Sequence, residues 1–317
     1  MRIVFVGAVE FSRHCLQELL KHRADVVAVL TLERVAANGH ADYADVGELA
    51  GRYGIALHRI ADINHPATAS LLESLQPDVI FILGWSQLVS ASILRIPRFG
   101  CIGSHPTLLP KHRGRHPLIW ALVEGLSESG LTFFYLNERA DAGDILWQRA
   151  FSIAAADDAA TLYQKIKALA SEAIAEFLPH LLTGAAPRRP QDERQATYWR
   201  RRTPSDGEIH WEEGSGRIHN LIRALTRPYV GAHTSCQGEK MVVWRSEVVR
   251  GDERLGAGLG IGAPPGTVIS ADRAIPEVRT GDGLLRLVEY ELPHGRLLGA
   301  GERLGEHRER AGHLCAS

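Results

Sequence analysis

The sequence predicts an α/β chain: a doubly wound domain over residues 1–183, a linker at 184–205 and a small, mostly β domain over 206–317. Three observations lead there. Short, unbroken apolar runs alternate with segments of helical hydrophobic spacing through the first half, the pattern of buried parallel strands joined by helices. A polar, breaker-rich stretch, Gly184-Ala-Ala-Pro-Arg-Arg-Pro-Gln-Asp-Glu-Arg194, interrupts that pattern. Beyond it, short strand-like runs are punctuated by Gly and Pro turns. At 317 residues, two domains are also the natural prior.

Ile3–Val9 is the first apolar run and reads as a buried strand. Phe11, Cys15, Leu16, Leu19 and Leu20 follow at helical spacing. Val26–Leu30 is a second strand, Pro66 opens a helix carrying Leu71, Leu72 and Leu75, and Asp78–Leu83 is a third strand. Ligands of such sheets bind beyond the carboxyl ends of the strands. Ile80–Gln87 and Cys101–His105 both place their last residues there. A long helix, about 159–182, closes the domain. In the second domain, Ile218, Leu221, Ile222 and Leu225 mark a helix, and Lys240–Trp244, Gly266–Ile269 and Leu284–Glu289 mark strands of a small barrel of five strands. Gly251–Pro265, with five glycines, reads as a flexible loop.

Composition narrows the functional classes. The chain is 45 % hydrophobic and 23 % charged, with a formal charge of −1, so no global field draws it to nucleic acid or an anionic membrane. Cys15, Cys101, Cys236 and Cys315 form no C-x-x-C pair, which argues against a zinc site or disulfide framework and fits a reducing cytoplasm. The N-terminal apolar run is too short for a signal peptide, and no run reaches 18 apolar residues. The expected compartment is the cytoplasm.

The richest stretch is Gly103-Ser-His-Pro-Thr-Leu-Leu-Pro-Lys-His-Arg-Gly-Arg-His-Pro117, followed by Arg139-Ala-Asp-Ala-Gly-Asp-Ile145. A lone histidine at a strand end more often packs or caps than reacts. His105, however, is followed by Pro106 and Pro110, which restrict the backbone, and a carboxylate, Asp141, comes 36 residues later. Such a pair can accept a proton from an attacking amine while the acid orients the ring. Arg113 and Arg115 can bind an anionic substrate or simply be solvated; Asp141-Ala-Gly-Asp144 alone would be a turn with capping acids. The glycine fingerprint of nicotinamide binding, a Walker loop, a G-x-S-x-G elbow and H-E-x-x-H are all absent from the sequence. Acid–base chemistry on a bound organic donor remains.

These residues resemble the folate-dependent formyltransferases, which move the formyl group of 10-formyltetrahydrofolate to an amine. His105 to Gly114 is similar to that family's H-x-S/T-L-L-P-x-x-R-G signature, and Leu131-Thr132 through Asp141-Ala-Gly143 to its V-T…D-x-G segment. Asp206–Trp211, Ile218–Thr226, Pro228–Ala232 and the Pro265…Gly283 stretch resemble the C-terminal part of the methionyl-tRNA and amino-sugar formyltransferases. The resemblance implies a Rossmann-like formyltransferase domain followed by an OB-like domain, 10-formyltetrahydrofolate as donor, and no metal. It implies His105 as the proton-handling residue and Asp141 as its partner. It sets the pterin against the backbone of 85–88 and 136–141, with Trp85, Gln87, Leu88, Leu136, Arg139 and Asp141 as donor-site residues, and Phe11, Arg113 and Arg115 on the acceptor side. One departure stands out: where the family carries Asn two residues before the histidine, this chain has Gly103. Ser104 points to the opposite face of an extended strand and does not replace it. Losing one such donor costs on the order of 3 kcal/mol of transition-state stabilisation, so another donor compensates, the enzyme is slow, or it is inactive.

The acceptor remains a choice between classes. Residues 200–317 hold 17 Lys/Arg against 16 Asp/Glu, and the loop Leu32–Tyr43, where the tRNA enzymes carry a basic insertion, holds one arginine and two acids. Neither is the basic footprint that tRNA asks for. The wording of Pro110–Trp120 and Tyr198–Arg202 looks more like the sugar-nucleotide N-formyltransferases. The expected partner is therefore a nucleotide-linked amino-deoxy sugar, with no nucleic acid and no membrane, and a homodimer as the open option for assembly. The alternatives are a methionyl-tRNA formyltransferase, a folate- or sugar-nucleotide-binding protein impaired by Gly103, and a hydrolase of the formyl donor.

Overall fold

The computed structural model describes residues 1–33, 42–249, 262–271 and 275–305. Two compact units emerge: Met1–Leu118 with Ser127–Ala155 and Thr161–Arg201, and Ile119–Leu126 with Ala156–Ala160 and Arg202–Ser317.

The first unit is built on a seven-stranded sheet. Its strands are β1 (Ile3–Val6), β2 (Val26–Leu32), β3 (Ala56–Ile60), β4 (Val79–Ile82), β5 (Cys101–His105), β7 (Glu128–Tyr135) and β8 (Ile145–Ser152), in the order β3-β2-β1-β4-β5-β7-β8. The pairs from β3 to β5 are parallel, whereas β5–β7 and β7–β8 are antiparallel. β1 and β4 are buried at every position, as continuous apolar runs in a doubly wound sheet must be. On one face, Val4, Val6, Ile80 and Ile82 pack with Leu72 of helix α3 (Pro66–Leu75) and Ile93 of the short α4 (Ala91–Leu94). On the other, Phe177 of α6 (Ala159–Leu182) lies 6.2 Å from Phe81 and 5.2 Å from Phe133, ring centre to ring centre. Helix α1 (Glu10–Lys21) joins α6 there, His14 Nε2 lying 2.9 Å from both the Lys167 carbonyl and Ser171 Oγ.

Expectation and structure differ in detail. The first strand stops at Val6 because the chain turns at Gly7 into α1. β3 escapes hydrophobic pattern reading: as an edge strand it buries only Ile60 of Ala-Leu-His-Arg-Ile. Residues 184–201, read as the first part of a linker, fold within the first unit. Arg189 bridges Ile145, and β9 (Tyr198–Trp199) pairs in parallel with β6 (Arg113–Gly114).

The second unit carries α7 (Ser215–Leu225) and an antiparallel five-stranded sheet in the order β10 (Ala232–Cys236), β11 (Glu239–Val248), β14 (Leu284–Glu291), β13 (Glu277–Arg279), β12 (Val268–Ser270). The chain at 301–305 ties the two edges together: Val268 N–H donates to Glu302 O at 2.9 Å and Gly305 N–H to Ser235 O at 2.8 Å. An open sheet would leave both edges to aggregate; this segment closes them into a barrel-like ring. Trp211 is buried in this unit, its indole N–H on Thr234 Oγ1 at 3.1 Å. Cys15, Cys101 and Cys236 are buried free thiols; burial pushes Cys101 up to about 12. Most of the glycine-rich loop 251–265 and residues 34–41 of the loop after β2 lie outside the described residues.

Candidate active site

β5 carries His105 to the carboxyl edge of the sheet, opposite Thr132 of β7. The ring is 5 % exposed. Its Nε2 sits 2.8 Å from the His112 carbonyl. A carbonyl only accepts, so Nε2 carries the hydrogen and Nδ1 of the neutral ring carries the lone pair. Nδ1 faces Asp141 Oδ2 at 3.7 Å, beyond a direct hydrogen bond but within ion-pair range once the ring takes a proton.

Asp141 sits in the left-handed backbone region, φ 53°, and its Oδ2 accepts the Gly114 N–H at 2.9 Å. The two signature glycines explain how these loops meet. A β-carbon on Gly143 would lie 1.7 Å from the Tyr135 carbonyl oxygen, and one on Gly114 (φ 112°) would lie 2.2 Å from the Trp199 carbonyl oxygen. Thr132 serves the loop rather than the reaction. Its hydroxyl donates to Thr107 O at 2.6 Å and accepts from Gln148 Nε2 at 2.8 Å, while the same Gln148 amide reaches Leu109 O at 2.9 Å.

Arg113 is fully buried, and its guanidinium is taken up by protein: Glu193 Oε1 at 2.9 Å, Glu193 Oε2 at 3.2 Å, Gln191 Oε1 at 2.7 Å and the Tyr198 hydroxyl at 2.9 Å. The guanidinium expected on the acceptor side is thus engaged by three side chains of the protein itself. Gln191 completes the tie, its Nε2 donating to Asp141 O at 2.9 Å and Gly143 O at 2.7 Å. Arg139 is exposed and pairs with Glu193 Oε2 at 2.7 Å. The two arginines, Arg113 first, hold the Glu193 carboxyl down at about 2.

The remaining expected residues divide. Trp85 is partly buried against the core, its indole N–H on Gln87 Oε1 at 3.2 Å. Gln87 turns inward: Oε1 accepts Ile63 N–H at 2.9 Å and Nε2 donates to Ala61 O at 3.0 Å, so its side chain fastens the loop rather than offering itself to a ligand. Leu88 is 65 % exposed, an apolar side chain open to solvent. Leu136 is partly buried and packs against the core, and its N–H is spent on Cys101 O at 2.7 Å. Phe11 is buried, and only its backbone N–H, on the Tyr163 hydroxyl at 3.0 Å, reaches a partner there. Arg115 is exposed and its guanidinium donates to Ser86 O at 2.7 Å. Gln191 and Glu193 lie in a polar, breaker-rich stretch that reads as a linker, whereas Trp199 falls in the Tyr198–Arg202 stretch likened above to the sugar-nucleotide enzymes.

A doubly wound sheet with a histidine–carboxylate pair at its carboxyl edge and a small β unit after it has the parts of a group-transfer enzyme that handles protons. Residues 1–178 match the model of the formyl transferase family and residues 201–308 that of its C-terminal domain, and the chain belongs to this family of folate-dependent formyl-transfer enzymes. It is 35 % identical over 311 residues to the methionyl-tRNA formyltransferase of Caldanaerobacter subterraneus, covering 97 % of each chain. Among solved structures, it superposes with TM-score 0.65 and 18 % identity on HypX from Aquifex aeolicus in complex with tetrahydrofolic acid, covering 92 % of this chain but 44 % of HypX. The chain thus spans just under half the length of HypX. With TM-score 0.64 and 17 % identity it matches an N-formyltransferase from Helicobacter canadensis in complex with folinic acid and dTDP-3-aminofucose, covering 90 % and 98 %. No helix among the described residues is long and apolar enough to cross a membrane.

Proposed function

We propose that the chain transfers formyl to the amine of a nucleotide-linked amino-deoxy sugar, with His105 as base and Asp141 as its charge partner. The folate donor supplies a carbonyl carbon at the formyl level, held beside Trp85, Leu88 and the 136–141 loop. His105 Nδ1 takes the proton released as the amine nitrogen bonds to that carbon and returns it to the departing folate nitrogen. Asp141, 3.7 Å away, stabilises the ring while it is charged. Arg115, exposed beside the Ser86 carbonyl, is the cation offered to the sugar's diphosphate.

The observation that carries the choice of acceptor is the charge pairing of the second unit. Arg217, Arg227, Arg286 and Arg296 each pair with glutamates of the same unit. Arginines neutralised in this way contribute little to the phosphate track that drives tRNA binding. A second reading, formylation of methionyl-tRNA, is favoured by the 35 % identity over nearly the whole of the Caldanaerobacter enzyme. Purified protein, 10-formyltetrahydrofolate and a panel of amino-sugar nucleotides, with methionyl-tRNA as a separate arm and His105→Ala as control, decide between them by mass spectrometry. A formylated sugar nucleotide that disappears in the control supports the proposal; formylated methionyl-tRNA without sugar turnover overturns it.

A further inference from the structure

The stretch Gln191–Trp199 touches the supports of both members of the His105–Asp141 pair. On one side, Gln191 Nε2 donates to the carbonyls of Asp141 and Gly143, and its Oε1 is anchored by the buried Arg113. On the other, Thr197 Oγ1 accepts the His112 N–H at 2.9 Å, and the Trp199 ring stacks on the His112 ring with centroids 4.1 Å apart and planes 20° apart. His112 itself sits at φ 62°, a conformation a non-glycine residue keeps only when its neighbours hold it. Its carbonyl is the acceptor of the His105 Nε2–H.

We infer that Trp199 and Gln191 are positioning residues for formyl transfer: Trp199, with Thr197, fixes the tautomer of His105 through His112, and Gln191 fixes the place of Asp141. This rests on the reading of His105 as base. If the His112 carbonyl moves away, nothing on that side selects Nε2–H, and the hydrogen can pass to Nδ1, which then has no lone pair for the amine proton. The base is then available for only part of the time. A general base contributes about 10²- to 10⁴-fold to rate, so losing its orientation removes part of that factor.

The direct readout is the ring itself. In protein labelled with ¹⁵N-histidine and held at alkaline pH, where the ring is neutral, long-range ¹H–¹⁵N correlation distinguishes protonated from bare ring nitrogens, and His105→Gln assigns the signal. The wild type shows His105 as a single Nε2–H tautomer. Trp199→Ala, and the milder Thr197→Val, show a mixture, while Trp199→Phe keeps the ring stack and the single tautomer. In turnover, Trp199→Ala and Gln191→Glu, which keeps the shape but loses the amide donor, lower kcat about 10- to 100-fold with the KM for the formyl donor nearly unchanged. A wild-type tautomer and wild-type kcat in folded Thr197→Val and Trp199→Ala overturn the inference. If His105→Ala retains full turnover, the reading of His105 as base falls instead, and the spectra still report whether Trp199 sets its tautomer.

Discussion

The Cδ2 methyl of Leu136 stands 2.5 Å from the point where a β-carbon on Gly103 would sit. Leu136 therefore fills the space that a side chain two residues before His105 would take, the place where the formyltransferase signature has an amide. Gly103 and Leu136 are packed as one unit.

Restoring the amide alone should therefore cost stability. Gly103→Asn requires the end of the partly buried Leu136 side chain to swing aside, which should cost about 1 kcal/mol, the lower end for overpacking. Adding Leu136→Ala in the same chain opens the space and recovers part of the melting temperature. The double variant also places the amide beside the formyl oxygen and should exceed Leu136→Ala in kcat. Thermal denaturation of the three variants checks the packing, and a Gly103→Asn chain as stable as the wild type counts against it.

Much of this arrangement is legible in the sequence, and the rest is not for physical reasons. Burial on both faces leaves β1 and β4 as continuous apolar runs, and α6 spans Ala159–Leu182, close to the bounds its spacing predicts. The signature glycines, Gly114 and Gly143, can be read because a close backbone approach tolerates no other residue. A motif arginine such as Arg113 looks the same in sequence whether it faces solvent or is buried against a half-exposed glutamate. Gln191 and Glu193 are invisible because their value lies wholly in tertiary partners, Asp141, Gly143, Arg113 and Arg139, far away in sequence.

Glu193 makes one of those partners testable by pH. Hydrogen bonds from Arg113 first and Arg139 second hold its carboxyl at about 2, below the ordinary value of 4.5. A depressed carboxyl stabilises the fold above its unfolded value and loses that contribution as pH falls through the folded one. Glu193→Gln should therefore melt below the wild type at neutral pH, with the gap closing as pH falls from 4.5 toward 2. Because Glu193 is half exposed, added salt should narrow the gap as well. A gap that widens on acidification would show that the two arginines do not hold this carboxylate in solution.

Arg113 and Arg115, two residues apart, should respond to mutation in opposite ways. Arg113 is fully buried with its fork divided among Gln191, Glu193 and Tyr198, so Arg113→Ala strands several acceptors at once. The expected loss is about 1–3 kcal/mol, from the lost hydrogen bonds, since the half-exposed Glu193 can turn to water. Arg113→Lys should recover little, since one ammonium cannot serve three partners held in a planar fork. Arg115→Ala, by contrast, removes an exposed side chain bonded to a single carbonyl, Ser86 O, and should leave stability within about 0.5 kcal/mol of wild type. Its effect should fall on the acceptor: removing a charge-assisted contact to a phosphate is worth roughly 1.5–3 kcal/mol, or at least about tenfold in the KM of a nucleotide-linked amine. Thermal melts and acceptor titrations on the two alanine variants separate these outcomes. If Arg113→Ala melts like the wild type while raising the acceptor KM, the buried network described around Asp141 is not what holds that loop.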